Sequence, residues 1–141
     1  MNLIQIPTAS VGATWPALLP HLSKAFKYEG GNIVEASKKK RIQDEMAQLW
    51  AVVDDEAKPK PKVMGALITR LDKQESGELF AIVEILGGED LKEWVHLRSQ
   101  IEAWAKAEGC TCVQLWARKG WARHLQDYKI VQYVMRKDLN K

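Results

Sequence analysis

The sequence predicts one domain of the α/β (α+β) class, spanning residues 1–141: a mixed, twisted sheet with helices on both faces, in the order β-α-α-β-β-β-α-β-α-β. Three observations lead there. Three apolar, β-rich runs follow one another between residues 49 and 86 with only turn-forming residues between them, which is the pattern of a meander. A long segment with a 3.6-residue apolar period then separates the third run from a fourth, as a crossover helix between parallel strands requires. At 141 residues, 46% hydrophobic and 28% charged, the chain can bury a core without a disulfide or a metal to hold it.

Asn2 to Ile6 alternates as a short strand does and is ended by Pro7, which has no N–H for a ladder. Thr14 precedes Trp15-Pro16, and Leu18, Leu19, Leu22, Ala25 and Phe26 recur at helical spacing, so a first helix is expected to start near Trp15 with the proline in its first turn. Gly30-Gly31-Asn32 breaks it. Ile33 to Met46 reads as a second, more polar helix carrying Lys38-Lys39-Lys40-Arg41. Leu49 to Val53 is a strand that stops at Asp54-Asp55-Glu56, and Lys58 to Lys62, alternating with proline, is an exposed tip. Val63 to Leu71 and Leu79 to Leu86 are the next strands, joined by a polar turn containing Gly77. The second of them is apolar on both faces apart from Glu84, as a central strand is. Beyond Gly87-Gly88, the residues Leu91, Trp94, Val95, Ile101, Trp104 and Ala105 keep a helical period as far as Gly109, which is placed to cap a long helix. Thr111 to Ala117 is a strand, Lys119-Gly120 a turn, Trp121 to Gln126 a short helix, and Ile130 to Arg136 a last strand of alternating character.

Twenty-one Lys and Arg against 18 Asp and Glu leave a net charge of +3, too little to mark a nucleic-acid protein. The run Lys38, Lys39, Lys40, Arg41 is either a solvated helix face or a weak, salt-sensitive contact to nucleic acid or an acidic protein surface. No stretch approaches the ~18 consecutive apolar residues of a membrane span, and the chain does not open on a basic region followed by an apolar run. No membrane contact and a cytoplasmic location are therefore expected. Cys110 and Cys112 lie two apart at a strand, too far for an unstrained disulfide, and are expected as free thiols. Together with the scattered His21, His96 and His124 they form no zinc spacing, so no metal is expected. Of the six tryptophans, Trp50, Trp104 and Trp116 fall inside elements and read as core. Trp15, Trp94 and Trp121 stand near element starts, where they either pack or form a contact surface for a partner.

The helix end Trp104-Ala105-Lys106-Ala107-Glu108-Gly109-Cys110, followed by a strand, resembles the GNAT acetyltransferase family. The residues from Gly109-Cys110 through Arg118-Lys119-Gly120-Trp121-Ala122-Arg123 to Tyr133-Val134-Met135-Arg136-Lys137-Asp138-Leu139 more specifically resemble small GNAT-like proteins that tailed bacteriophages encode in or near their virion-assembly genes. The resemblance implies the GNAT-like fold and an acetyl-CoA site. That site is a cleft where the central strand splays from the next, with backbone amides at the long helix's N-terminus around the pyrophosphate. Such a cradle needs small residues, because only glycine lets amides approach phosphate closely. The family's motif is Gln/Arg-x-x-Gly-x-Gly/Ala. Counted back from Ala105 without a gap, its two small positions fall on Lys92 and Trp94, while Gly87 and Gly88 lie upstream in the strand-end turn. An indole at 94 takes up the pyrophosphate's volume, and Glu89, Asp90 and Glu93 add like charge, each costing roughly 1 kcal/mol in water at about 4 Å. No acetyl-CoA binding, no cofactor and no catalytic residue are therefore expected.

If the chain is active, the resemblance puts a base at Glu84, where a carboxylate desolvated by Phe80, Ile82 and Leu86 on one face has a reason for a raised pKa. The other reading of Glu84 is an ion pair with Lys or Arg. The position of the family's tyrosine acid falls on Arg123, and Tyr128, five residues on, is the nearest substitute or simply packs. Arg98 interrupts the apolar stripe of the long helix, either by laying its stem over the helix edge or by reaching a buried partner such as Glu84. Three functions follow. The first is a GNAT-fold phage protein without acetyl-CoA binding, acting as a structural or interaction protein in virion assembly. The second is an active N-acetyltransferase with a divergent coenzyme loop, and the third a small inhibitor of a host protein. The first implies phage structural proteins as partners and residence in the infected bacterial cytoplasm or in the particle.

Overall fold

The structure, a computed structural model, describes residues 1–29, 32–88, 95–116 and 119–139. Its strands are β1 (Asn2–Gln5), β2 (Gln48–Asp54), β3 (Lys62–Lys73), β4 (Leu79–Gly88) and β5 (Cys112–Leu115). Its helices are α1 (Val11–Glu29), α2 (Asn32–Gln43) and α3 (Arg98–Ala107), with 3-10 turns at Thr8–Ser10, Val95–Leu97 and Lys119–His124. The strands lie in chain order in one sheet. β1 to β4 are antiparallel neighbours, and β5 runs parallel to β4. The α+β class, the meander and the parallel pair across the crossover thus match the expectation. The middle strand is β3, however, and β4 is an interior strand next to the edge.

Helices cover both faces. On one, Leu18, Leu22 and Phe26 of α1 and Ile42 of α2 pack on Leu49, Ala51, Ala66, Ile68 and Ile85. On the other, Leu97 and Ile101 pack on Trp50, Val52, Met64, Leu67 and Val83. Fully burying one such aliphatic side chain is worth roughly 1.5–3 kcal/mol, so these two layers hold the sheet between them.

Four elements differ from expectation. α1 starts at Val11, leaving Pro16 and Pro20 inside it. Both prolines are exposed, so the carbonyls they leave unbonded face water, and the buried leucines on the opposite side hold the helix together. The described part of the long helix is only Arg98–Ala107, where Cys110 N–H donates to Ala105 O at 2.9 Å and Gly109 takes φ +89, the left-handed cap its position predicts. Lastly, Ile130 to Arg136 form no strand. Residues 129–138 have no regular structure and are exposed, beyond Tyr128, which still lines the domain and bonds to Glu102. Their alternation is that of a strand, but within the domain no strand pairs with them. The expected short helix at Trp121 is a 3-10 turn.

Candidate functional site

Across β3 and β4, Ile68 faces Ile85 and Thr69 faces Val83, so Glu84 is the extra residue of a β-bulge. A bulge reverses the alternation of a strand. Glu84 and Ile85 therefore both look towards α1 and α2, whereas Val83 and Leu86 pack on the α3 side. This corrects the expectation that Leu86 shares a face with Glu84.

Glu84 is 3% exposed, and its carboxylate is surrounded by cations. Lys38 Nζ donates to Oε2 at 2.5 Å, Arg41 Nη1 donates to Oε1 at 3.2 Å, and Arg70 Nε lies 2.5 Å from Oε1. The Arg70 N–H is not aligned for a hydrogen bond, so that contact is one of charge. The Arg70 guanidinium also lies 5.0 Å from the centre of the Trp116 ring. One carboxylate among three cations leaves the cluster net positive, and it ties α2 to β3 and β4. Of the two readings of Glu84, the ion pair is the one present.

The basic run of α2 is thereby taken apart. Lys38 and Arg41 turn inward to Glu84, Lys39 lies 5.7 Å from the Trp15 ring centre, and Lys40 pairs with Asp44 at 3.0 Å along the helix. The four residues do not form a uniform solvated or anion-facing surface, because a helix repeat of 3.6 sends positions 38 and 41 to one side and 40 to another. Trp15 is likewise no contact residue: it is 4% exposed, stacks on Phe26 at 6.3 Å and donates to Glu35 Oε1 at 3.3 Å.

β5 pairs with β4 only over Phe80 to Val83, and the last rung is Trp116 N–H to Val83 O at 2.9 Å. From Ile85 to Gly88, β4 has ladder partners on its β3 side alone among the described residues. Gly87 is closed on its α1 side, since a Cβ there would stand 1.8 Å from the His21 carbonyl oxygen. Its lack of a side chain lets β4 and α1 approach. Glu89 to Trp94, including the loop positions Lys92 and Trp94, lie outside the described residues, and the side chains of 119, 120 and 122 do as well.

On the α3 face a cavity of about 50 Å³ is lined by Leu67, Val83 and Leu86 of the sheet, by Val113 and Leu115 of β5, and by Trp121, Leu125 and Tyr128 of the following segment. Trp121 therefore packs on the core and closes a cavity. Tyr128 donates its hydroxyl to Glu102 Oε2 at 2.7 Å. Burial, followed by this hydrogen bond, pushes its phenol well above the ordinary range. Arg98 does not reach Glu84; its Nε pairs with Asp127 at 3.3 Å, near the surface. Trp50 and Trp104 meet edge to face at 5.2 Å in the core, as expected, but Trp116 is 50% exposed. Cys110 and Cys112 are free thiols, both pushed up from the ordinary range, burial being the first cause. Among the described residues no group of three metal-binding side chains occurs, and no helix is long and apolar enough to cross a membrane.

No protein-family model and no curated protein matches the sequence. Solved structures do match in three dimensions. A probable acetyltransferase superposes with a TM-score of 0.68, at 14% identity over 99% of this chain and 97% of that one. The fold is GNAT-like. A ribosomal-protein-alanine N-acetyltransferase from Brucella melitensis shares the GNAT-like fold with a TM-score of 0.63, at 11% identity over 97% of this chain and all (100%) of that one. A predicted acetyltransferase with acetyl-CoA from Clostridium acetobutylicum gives 0.65, at 7% identity over 99% and 96%. At these identities the likeness carries the fold alone.

Proposed function

We propose that this chain uses a GNAT-like fold as a scaffold for protein contacts rather than for acetyl transfer, in the assembly of a phage particle. The observation that carries the reading is Glu84: the one carboxylate that the resemblance offers as a base has both oxygens engaged by Lys38, Arg41 and Arg70 inside the domain. A base must accept a proton from a substrate within hydrogen-bond reach, and a carboxylate whose oxygens are filled by three cations has no such approach. The closed side of Gly87 and the bulky, acidic sequence from Glu89 to Trp94 add to it. The segment from Ile130 to Leu139, exposed throughout and carrying six apolar side chains among Gln132, Arg136, Lys137 and Asp138, supplies a surface for partners. The phage assignment, with structural proteins of the particle as partners in the infected cell, rests on the resemblance of residues 109–139.

One observation favours active acetyl transfer instead: an apolar cavity lies beside Tyr128. In that reading Tyr128 is the acid, yet its proton is held by Glu102. Mass spectrometry of purified particles and assembly intermediates tests the proposal, which expects the protein in one or both. Its absence from both, with a host enzyme recovered on the tagged protein, would replace the assembly role with that of an inhibitor.

A further inference from the structure

The chain's two cysteines stand one residue apart where α3 hands over to β5. The backbone there is held on both flanks. Cys110 N–H donates to Ala105 O at 2.9 Å, Thr111 N–H donates to Leu79 O at 2.9 Å, and Cys112 faces Phe80 as the first rung between β4 and β5. Val113 and Leu115 pack on the α3 side, so alternation turns Cys112 to the other face, and Cys110 precedes it by one strand repeat. Cys110 is half-buried, Cys112 is exposed, and both thiols are free. Burial is the first reason that each thiol is raised, and the charge of Cys112 is among the lesser causes at Cys110, as neighbouring sulfurs require. Thiols held in the protonated form are poor nucleophiles, so what this pair offers is ligation.

Strand positions two apart hold their Cβ atoms at most about 6.6 Å from each other, at a rise of roughly 3.3 Å per residue, and the bend at Thr111 only shortens that span. A disulfide needs about 3.8 Å, which is too short for the pair. A cation held in line between two sulfurs needs far more. Two metal–sulfur bonds of about 2.3 Å set the sulfurs about 4.6 Å apart and, through bent carbon–sulfur–metal angles, the Cβ atoms about 5.5–6.5 Å apart. From this match we infer that Cys110 and Cys112 together bind one soft, monovalent cation of the copper(I) class in a linear, two-sulfur site. Soft thiolates select copper(I), which is satisfied by two ligands. Zinc takes four, and among the described residues no group of three His, Cys, Asp or Glu side chains is placed to hold a metal. The expectation of no metal rested on zinc spacing and does not reach a site that needs two ligands. On binding, each thiol gives its proton to water and forms one sulfur–copper bond, so two protons leave, nothing is oxidised, and the filled site carries one negative charge. This inference does not depend on whether the protein binds acetyl-CoA or enters a particle.

Titration of the reduced full chain with copper(I), presented as its bicinchoninate complex without oxygen, tests it. The wild type should withdraw one copper per chain from the chelator. The bound metal should then protect both thiols from iodoacetamide, counted by mass spectrometry, whereas zinc at the same concentration should protect neither. Cys110→Ser and Cys112→Ser should each weaken copper binding by more than about 100-fold, since loss of a merely supporting group already costs a metal site about 10–100-fold. Circular dichroism checks that both variants fold, and the protection of the wild-type thiols decides the matter if they do not. No copper withdrawn, one thiol protected instead of two, equal protection by zinc, one copper shared between two chains, or a folded serine variant that binds copper as tightly as the wild type would each overturn the inference.

Discussion

Replacing Glu84 by Gln keeps the shape of the side chain and removes its charge. The wild-type carboxylate neutralises part of the charge on Lys38, Arg41 and Arg70, whose side chains are 14%, 32% and 22% exposed against 1% for Glu84 itself. Gln offers one acceptor oxygen where two were used, and turns an N–H₂ donor towards a cation. Breaking a buried ion pair by changing one partner costs about 3–5 kcal/mol. The three cations keep some contact with water and can turn outward, so the expected loss for Glu84→Gln is at the lower end, about 3 kcal/mol. That is a large part of a stability of roughly 5–15 kcal/mol. Lys38→Met removes one of three cations and leaves Glu84 compensated, so it should cost about 1 kcal/mol, and the double variant should lose less than the sum of the two. Urea unfolding followed by tryptophan fluorescence and far-ultraviolet circular dichroism measures all three. A Glu84→Gln protein within about 0.5 kcal/mol of the wild type would refute the structural reading of this cluster. Loss of acetyl transfer in such a stable variant would make Glu84 a base after all.

Gly87→Ala puts a methyl group 1.8 Å from the His21 carbonyl oxygen, where backbone cannot yield cheaply, and should destabilise the domain by about 3 kcal/mol or more; thermal unfolding that leaves the midpoint unchanged would show that α1 does not press on β4 there. Tyr128→Phe removes the hydrogen bond to Glu102 and should cost about 1–2 kcal/mol at neutral pH. The Tyr128 phenol is raised in the folded protein, so its contribution is complete below the unfolded value of about 10 and falls as pH rises beyond it. The stability gap between wild type and Tyr128→Phe should therefore narrow from pH 9 to pH 11 (about one unit either side of that value), and a constant gap would contradict this assignment.

Most of the sheet was legible in the sequence because β2, β3 and β4 are continuous apolar runs that need cover on both faces, and turn residues separate them. The end of α3 was legible too, since Gly109 follows the last apolar residue at the cap position. The bulge at Glu84 was not. Nothing in the alternation of Leu79 to Leu86 announces one extra residue, yet that residue decides that Glu84 meets α2 and that Leu86 does not share its face. The basic run misled for a related reason. Lys38 and Arg41 are three apart on a helix whose apolar face is thin, and only the three-dimensional position of Glu84 explains why they turn inward. Trp15, for which packing and partner contact were both open, is buried, whereas Trp116, expected in the core, is half-exposed. The expected last strand is absent: Ile130 to Arg136 alternate as a strand does, but a strand also needs a neighbour to pair with, which a pattern of side chains does not supply.

The central claim is that a GNAT-like fold here works without acetyl-CoA, and calorimetric titration of the purified protein with acetyl-CoA tests it most directly. The account predicts no saturable heat up to about 1 mM ligand, which corresponds to a binding free energy weaker than about −4 kcal/mol. A dissociation constant in the low micromolar range, near −8 kcal/mol, would contradict it.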